Sequence, residues 1–174
     1  SLVGTNVDRV FVPSVEKGVR TACSEGVLTH CRVTDVQIDF FDGKMHPVDS
    51  KDIAFQVAGY HAFKEAFLAA KPVLLEPVCA VTVTAPEGDV GAVLGDLSAR
   101  RGRILGVETE GHFQIIRAQV PQKELYHYST AVRALTGGRG RHSEAFSHYD
   151  DVPPETAAKL LPSLGRIEKA TVGS

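Results

Sequence analysis

The chain has 174 residues, 43% of them hydrophobic and 23% charged, which is typical of a folded globular protein and excludes wholesale disorder. No apolar run approaches the roughly 20 residues that are needed to span a bilayer. The 19 Lys and Arg against 21 Asp and Glu leave a formal net charge of −2, which excludes a nucleic-acid binder that relies on bulk positive charge. Cys23, Cys31 and Cys79 form no CxxC pair and the start has no signal-peptide pattern, so reduced thiols and a cytoplasmic protein are expected.

The first half of the sequence predicts two helices. The first precedes Gly26, which suits the position after a helix because glycine accepts the left-handed conformation there. The second runs to about Ala70, and either Asp49 or Ser50 can cap its start. The apolar faces of the two helices comprise Val12, Val15, Val19 and Ala22, and Phe55, Ala62, Phe63, Ala66 and Phe67.

One strand is predicted between these helices. Apolar residues alternate with polar ones from Arg32 to Phe41, which indicates a half-buried strand that ends at the Asp42-Gly43 turn. A lone strand is unstable, because its backbone donors and acceptors need a neighbour. We therefore expect pairing strands upstream of Ser1, a short second strand over 45–48, or pairing of the exposed edge between two molecules in a crystal or a dimer.

The second half predicts the element order βαββαβ, which is the ferredoxin-like split unit. Its four strands are predicted over Val78–Ala85, Ile104–Glu110, Phe113–Val120 and Arg141–Tyr149. The helices between them have buried faces of Val90, Val93, Leu94 and Leu97, and of Leu125, Tyr128, Val132 and Leu135. Gly102 and the pair Gly137-Gly138 suit the ends of these helices, Gly111 suits the hairpin turn, and a short helix over Pro154–Leu161 follows.

Five stretches of the chain, in the same order, resemble the last two domains of bacterial elongation factor G. The longest and most specific is GDVGAVLGDLSARRGRILG, from Gly88 to Gly106. The other four are FVPSVEKGVR (Phe11–Arg20), FDGKMHPVDSKDIAF (Phe41–Phe55), KPVLLEP (Lys71–Pro77) and AFSHYDDVP (Ala145–Pro153). Pro47 departs from the acidic residue that is common in the family, and the last strand is closer to divergent paralogues of the factor.

The resemblance implies an α+β chain of two domains. Residues 1–73 would be the fourth domain of the factor, a βαβ-type, ribosomal-protein-like domain truncated at its N-terminus. Residues 74–162 would be the ferredoxin-like fifth domain with a C-terminal helix, followed by a loose tail over 163–174. In the family the fourth domain begins upstream with a strand-forming stretch and a Gly-rich tip loop, which agrees with the missing strand partner.

The loop after the predicted strand is the best candidate for a functional contact. From the residues alone it is a polar turn, and a solvated turn is favoured over an RNA contact. The resemblance implies that the loop tips the fourth domain and enters the decoding site of the small ribosomal subunit beside the tRNA–mRNA duplex. The expected tip residues are Asp42, Gly43, Lys44, Met45, His46 and Pro47, with Lys44 and His46 touching RNA.

Two basic clusters are further candidates for RNA contacts. Arg100, Arg101 and Arg103 follow the first helix of the split unit, where cations are also favoured by the helix dipole alone. Arg139 and Arg141 follow the second helix. The βαββαβ order puts these two loops at opposite ends of the sheet, so two separate phosphate contacts are expected. The resemblance assigns both to the large-subunit rRNA of the GTPase-associated region.

Catalytic patterns are absent from the sequence. Neither GxxxxGK[ST] nor GxSxG occurs, no carboxylate pair suits acid–base work, and Cys23, His30 and Cys31 lack the pair spacing of a metal site. We expect no catalytic residue, cofactor or metal in this chain. The resemblance implies that GTP and Mg²⁺ are bound by the GTPase domain of the parent factor.

The expected function is that of a ribosome-binding and rRNA-binding part of a translational GTPase that acts in tRNA–mRNA translocation. A ribosome-recycling or ribosome-protection factor of the same architecture is the first alternative. A small-molecule regulatory module is the alternative from another class, because ferredoxin-like domains also serve that role. The RNA-recognition module that shares this topology is not favoured, since the third strand, HFQIIRAQV, carries one aromatic residue.

Overall fold

The computed structural model describes residues 7–44 and 51–165. These residues form two compact units, of which one is the segment Val73–Val152. The other contains the described residues before Val73 and those from Pro153 onward. The C-terminal helix therefore groups in space with the first unit, although the predicted plan of 1–73, 74–162 and 163–174 places it after the second.

The first unit is built on two packed helices. Helix α1 spans Val12–Glu25 after a short 3-10 turn, and helix α2 spans Asp52–Ala69. The helices approach closely at two glycines: a Cβ on Gly18 would lie 1.9 Å from the Gln56 carbonyl oxygen, and one on Gly59 would lie 2.7 Å from the Val15 carbonyl oxygen. The buried side chains of the two helices belong to Ser14, Val15, Ala22, Phe55 and Phe63.

Most of the predicted helix ends are confirmed, and one cap is wrong. Helix α1 ends before Gly26, whose φ is +81° and whose N–H donates to the Ala22 carbonyl at 3.0 Å. Helix α2 starts later than expected, with Lys51 as its N-cap and no side-chain cap, while Asp49 and Ser50 lie outside the described residues. Of its predicted apolar face, Phe55 and Phe63 are buried and Phe67 is half-buried, whereas Ala62 and Ala66 are exposed. The buried residues follow one i, i+4 row through Gly59, and the two alanines lie beside that row.

The strand predicted over Arg32–Phe41 does not form. Residues 32–44 contain neither helix nor strand, and Val36, Ile38 and Phe41 are 44%, 46% and 71% exposed. The physical reason is the lack of a partner: no described segment offers a ladder to this stretch, so its alternating pattern has nothing to pair with. The proposed second strand over 45–48 lies outside the described residues.

The second unit confirms the predicted βαββαβ order. Its elements are β1 (Leu75–Pro86), α3 (Val90–Ala99), β2 (Arg103–Glu110), β3 (Phe113–Pro121), α4 (Tyr128–Leu135) and β4 (Arg141–Asp151). The sheet has the order β2-β3-β1-β4, and all three strand pairings are antiparallel. Helix α5, over Pro154–Gly165, runs past its predicted end at Leu161. The rest of the expected loose tail, 166–174, lies outside the described residues.

Both helices of this unit pack on one face of the sheet. The core comprises alternate residues of the central strands together with one face of each helix. Helix α4 is shorter than its predicted face, because Leu125 belongs to a separate 3-10 turn over Gln122–Leu125. The core side chains are Cys79, Val81, Val83, Ala85, Val93, Leu97, Ile116, Ala118, Val120, Leu125, Tyr128 and Val132.

The end of α3 departs from its prediction. Gly102 was expected to take the left-handed position after the helix, but that conformation belongs to Arg101, with φ +62°. Gly102 follows it and donates its N–H to the Leu97 carbonyl at 2.8 Å, the six-to-one bond of a Schellman ending. Glycine is needed at 102 for space, because a Cβ there would lie 2.6 Å from the Leu97 carbonyl oxygen.

Candidate nucleic-acid interface

The predicted tip segment is described only at its start. Asp42, Gly43 and Lys44 are described, whereas Met45, His46 and Pro47 lie outside the described residues. The Gly43 N–H donates to the Asp42 carboxylate at 2.8 Å, and a Cβ on Gly43 would lie 2.7 Å from a Val7 methyl carbon. The glycine thus lets the chain pass close to Val7, after which the Lys44 side chain is exposed.

Arg100 is held inside the second unit. Its Nε donates to Asp96 at 2.8 Å and its Nη1 donates to the Glu124 carbonyl at 2.5 Å. Its guanidinium carbon lies 5.0 Å from the ring centroid of Tyr128, within the range of a cation–π contact. With these partners Arg100 ties the end of α3 to the segment before α4, and little of the group is left for an outside ligand.

Arg101 is bound to Glu76, at the start of β1. Both terminal nitrogens of the guanidinium donate to that carboxylate, and Glu124 lies 3.8 Å away on the other side. The hydrogen bond to Glu76 is the main reason that the pKa of Arg101 is raised above its ordinary value. This bidentate pairing stabilises a residue in the left-handed conformation, which costs a side chain of this kind about 1 to 2 kcal/mol.

We therefore expect Arg101 to act on stability. Arg101→Ala should lower the free energy of unfolding of the second unit by about 1 to 2 kcal/mol, because it removes the ion pair and keeps the left-handed conformation. Arg101→Gly should cost about 1 kcal/mol less, since glycine adopts that conformation freely. Urea unfolding followed by far-UV circular dichroism compares the two variants. Equal losses would contradict the assignment of strain to this residue.

Arg139 lies at the end of the sheet opposite to Arg101, and it also has an internal partner. It follows Gly137 and Gly138, both with positive φ, and its Nη2 donates to Asp89 at 2.9 Å. Its Nε also donates to the Thr136 carbonyl at 3.2 Å. The Arg139 side chain remains 64% exposed, so it is partly available to a ligand.

Arg103 and Arg141 are the exposed members of the two clusters that have no ion-pair or hydrogen-bond partner among the described residues. Each is the first residue of its strand. The register confirms that they lie at opposite ends of the sheet: Arg103 pairs with Gln119, which faces Ala80 on β1, whereas Arg141 pairs with Thr84. Of the five arginines predicted to touch rRNA, the structure thus leaves these two wholly without internal partners in the part of the chain that it describes.

The internal partners of the arginines were not predicted. Glu76, Asp89 and Glu124 are distant in sequence from the arginines that they bind. Only the sheet and its helix connections bring these carboxylates to the ends of α3 and α4. The spacing of Asp96 and Arg100, four residues apart on one helix, is the signal that could have indicated the remaining pair.

Other classes of site were also considered. Within 7–44 and 51–165, no group of three or more His, Cys, Asp or Glu side chains could hold a metal ion, and Cys23, Cys31 and Cys79 are free thiols. An open groove of about 350 Å³ between α1 and α2 is lined partly by Ile53, Val57 and Tyr60, and none of the predicted site residues lines it. No described helix is both long and apolar enough to cross a membrane.

The chain matches two known families that together cover most of its length. Residues 1–71 match the family described as "Elongation factor G, domain IV". Residues 73–160 match the family described as "Elongation factor G C-terminus". The junction between the two matches falls beside the boundary between the two compact units.

Curated relatives agree with these matches. The chain is 50% identical over 158 residues to "Elongation factor G" of Aquifex pyrophilus, which covers 91% of this chain and 23% of that protein. It is 47% identical over 165 residues to "Elongation factor G-like protein" of Mycobacterium tuberculosis, which covers 94% of this chain and 23% of that protein. For the protein of that name in Thermotoga maritima the identity is 45% over 166 residues, with 95% and 24% covered. The chain therefore spans about a quarter of the length of the relatives it matches.

A solved structure has the same fold. A crystal structure of a protein from Thermus thermophilus is similar with a TM-score of 0.79 and 40% sequence identity. The similarity covers 95% of this chain and 25% of that one. The arrangement of two helices followed by a ferredoxin-like unit is thus shared with a longer protein.

Proposed function

The chain belongs to the elongation factor G family, and we propose that it is the ribosome-contacting C-terminal part of a translational GTPase that acts in elongation. The observation that supports this best is the pair of family matches, over 1–71 and 73–160, which give the chain the domain IV and the C-terminal domain of a translation elongation factor. In this proposal the chain binds rRNA and the decoding site and performs no bond-making chemistry itself.

The chemistry of the parent protein lies elsewhere in this proposal. The chain spans 23% of the Aquifex relative, and its 174 residues contain no GxxxxGK[ST] phosphate-binding loop. We therefore place GTP and Mg²⁺ in the part of the parent that this chain does not include. Hydrolysis there would move or lock the two units against the ribosome in the cytoplasm, and the work of these residues would be steric and electrostatic.

The first unit is the decoding-site probe in this proposal. The segment Asp42–Lys44 passes close to Val7 at Gly43, and the exposed ammonium of Lys44 can approach a phosphate. Met45, His46 and Pro47 follow these residues in the sequence. A small tip of this kind can enter a groove of RNA, hold tRNA and mRNA by shape, and add charge-assisted contacts to phosphate oxygens.

The step of translation that the parent serves is a finer part of the proposal. Relatives named "Elongation factor G" and "Elongation factor G-like protein" have similar identities, 50% and 47%. Translocation is our first choice, and ribosome recycling or protection by a factor of the same architecture is the alternative. A translocation assay on the full-length parent separates these outcomes, because a recycling or protection factor would fail to advance mRNA.

Ribosome binding tests the proposal as a whole. The 174-residue chain is expected to co-sediment with ribosomes, and a Lys44→Ala/His46→Ala variant to bind about tenfold more weakly, the change produced by about 1.4 kcal/mol. Lys17→Ala is the matched control, since Lys17 is an exposed lysine within α1 and not part of the tip segment. An equal loss in the control, or no sedimentation of the unaltered chain, would count against the proposal. In the parent, wild-type ribosome-stimulated activity of the double variant would refute the role of the tip.

A further inference from the structure

We propose that the open face of the β2-β3-β1-β4 sheet binds the phosphate backbone of RNA through a diagonal of Arg103, Arg117 and Arg141. The inference rests on the proposed function, because that function makes RNA the partner. It adds Arg117, which the sequence patterns had not indicated, and it joins two arginines from separate clusters on one surface. We call this surface the open face and define it by the three rows of residues below.

The strand register sets out the open face. Antiparallel pairing aligns residues across all four strands, and residues of one row point to the same side of the sheet. In the order β4, β1, β3, β2, the rows are Arg141, Thr84, Ile115 and Glu108; then Ser143, Thr82, Arg117 and Gly106; then Ala145, Ala80, Gln119 and Arg103.

The alternate residues of the central strands show which side this is. Val81 and Val83 on β1 are buried under the helices, as are Ile116 and Ala118 on β3. Since successive side chains of a strand point to opposite faces, Thr82 and Thr84 on β1 and Arg117 on β3 point away from the helices. The ion pair from Arg117 to Glu108, at 3.1 Å, joins two residues of the rows and agrees with this assignment.

The two edge arginines lie on the same side. Ile104 packs against the core, so its neighbour Arg103 points to the open face. On β4 the ring of His142 lies 5.1 Å from the ring of Tyr128, in α4, so Arg141 also points to the open face. The loops before β2 and β4 are at opposite ends of the sheet, yet the first residue of each strand faces the same surface.

The spacing of the three arginines suits successive phosphates or a short bend of backbone. With strands about 4.8 Å apart and a rise of about 3.4 Å per residue, the Cα atoms of Arg103 and Arg117 are about 8 Å apart. By the same geometry those of Arg117 and Arg141 are about 12 Å apart. The long guanidinium side chains can shorten or extend these distances by several ångströms, and each presents a fork of donors to phosphate oxygens.

The floor between the arginines bears small side chains, three of which carry hydroxyl groups. Ala80, Thr82, Thr84, Ser143 and Ala145 occupy the β1 and β4 positions of the rows. Small side chains let a sugar–phosphate backbone approach the sheet, and the hydroxyls of threonine and serine can donate to phosphate oxygens. These residues are all exposed or half-buried.

The charges on the rows favour an anion. Arg103 and Arg141 have no ion-pair partner within the described part of the chain. The carboxylate on the rows is that of Glu108, and its pair with Arg117 is exposed on both sides, at 62% and 56%. An exposed pair of this kind contributes at most about 1 kcal/mol, so a phosphate can displace Glu108 from Arg117.

The composition of the face favours an RNA backbone over a protein partner. Protein interfaces are anchored by aromatic and large apolar side chains, and the three rows contain none larger than the half-buried Ile115. The next row of the same face contains Glu110 and the exposed Phe113, which lie beyond the diagonal of arginines. The absence of aromatic residues from the three rows excludes recognition by base stacking there. Cations above a floor of hydroxyls are instead suited to phosphate and ribose.

The test measures RNA binding of the whole 174-residue chain to fluorescein-labelled oligouridylate by anisotropy over a series of KCl concentrations. Each of Arg103→Ala, Arg117→Ala and Arg141→Ala should lower the slope of log Kobs against log[KCl] by about 0.7, the loss of one single-strand phosphate contact. The triple variant should lose about 2 in slope and bind at least about tenfold more weakly at a fixed salt concentration. Glu108→Gln should tighten binding, because it removes the competing carboxylate from Arg117.

Arg133→Ala is the matched control, since Arg133 is an exposed arginine on α4, on the helix-covered side of the sheet. Thermal unfolding of the triple variant should match that of the unaltered chain, which separates lost contacts from lost fold. Any of three results would overturn the inference: unchanged slopes in the three variants, an equal loss of slope in Arg133→Ala, or no binding of oligouridylate by the unaltered chain. If the face serves a protein partner instead, the slopes of the three arginine variants would be unchanged. Ribosome co-sedimentation judges the proposed function separately, so either can fail alone.

Discussion

Replacing Tyr128 with alanine is expected to lower the free energy of unfolding of the second unit by about 3 to 5 kcal/mol, the usual cost of deleting a buried aromatic ring. Tyr128 is 1% exposed and is the largest of the fully buried side chains in the described part of the chain. Its ring lies under the Arg100 guanidinium and edge-on to His142, so the alanine variant would leave a cavity and remove the ring that Arg100 packs on. Amide hydrogen exchange at Val81 and Val83 measures the loss within this unit.

The phenylalanine variant is the control for this site. The Tyr128 hydroxyl is buried and has no hydrogen-bond partner among the described residues. Burial is the main cause that raises the pKa of Tyr128 well above its ordinary value, and nearby Asp96 raises it further, so the phenol is neutral at physiological pH. Tyr128→Phe should be neutral or stabilise the unit by up to about 1 kcal/mol, because it keeps the ring and removes a buried polar group without a partner. A clear destabilisation would show that the hydroxyl has a partner, such as a water molecule.

Replacing Gly18 with alanine is expected to destabilise the first unit by about 3 kcal/mol or more, at the upper end of the usual cost of over-packing. The new Cβ would lie 1.9 Å from the Gln56 carbonyl oxygen, a backbone atom of α2 that cannot move without the helix. Over-packing of a tight contact costs about 1 to 3 kcal/mol, and this clash exceeds an added methylene in a side-chain core. In urea, the helical circular dichroism signal of the variant should be lost at a lower midpoint than that of the unaltered chain. Amide hydrogen exchange at Val15 and Ala22 should also be faster.

Gly95→Ala is the matched change with the opposite expected sign. Gly95 lies inside α3, and a Cβ there would meet no atom within 4 Å. Alanine should therefore stabilise α3 by about 0.5 to 1 kcal/mol through its lower conformational entropy in the unfolded chain. If Gly18→Ala behaved like Gly95→Ala, the close contact of α1 and α2 would be wrong.

The structure changes the meaning of the arginine clusters for the proposed function. The densest cluster in the sequence, at 100–103, contributes two arginines to internal contacts with Glu76, Asp96 and Glu124. Variants of Arg100 or Arg101 with weak ribosome binding would therefore report on stability as well as on contact. Arg103 and Arg141 are cleaner probes, because no described partner within the unit is lost with them.

Much of the fold could be predicted from local patterns. The alternation along β1 and β3, the helical spacing of Val90, Val93, Leu94 and Leu97, and the glycine signals at 111 and 137–138 all led to the observed elements. These patterns are reliable because burial on one face requires the same spacing of apolar residues wherever the element lies in the molecule. The stretch from Arg32 to Phe41 alternates apolar and polar residues equally clearly but forms no strand, since a strand depends on a partner that its own residues do not supply.

The candidate site divides in the same way. The sequence by itself determined the family, the order βαββαβ, the exposed lysine at 44 and the positions of the arginines. Only the tertiary structure decided which arginines are available: Arg101 binds Glu76 across 25 positions of sequence, and Arg139 binds Asp89 across 50. The register likewise decided that Arg103, Arg117 and Arg141 share one face. The physical reason is that charge pairing and strand pairing act between residues that the chain brings together only when it folds.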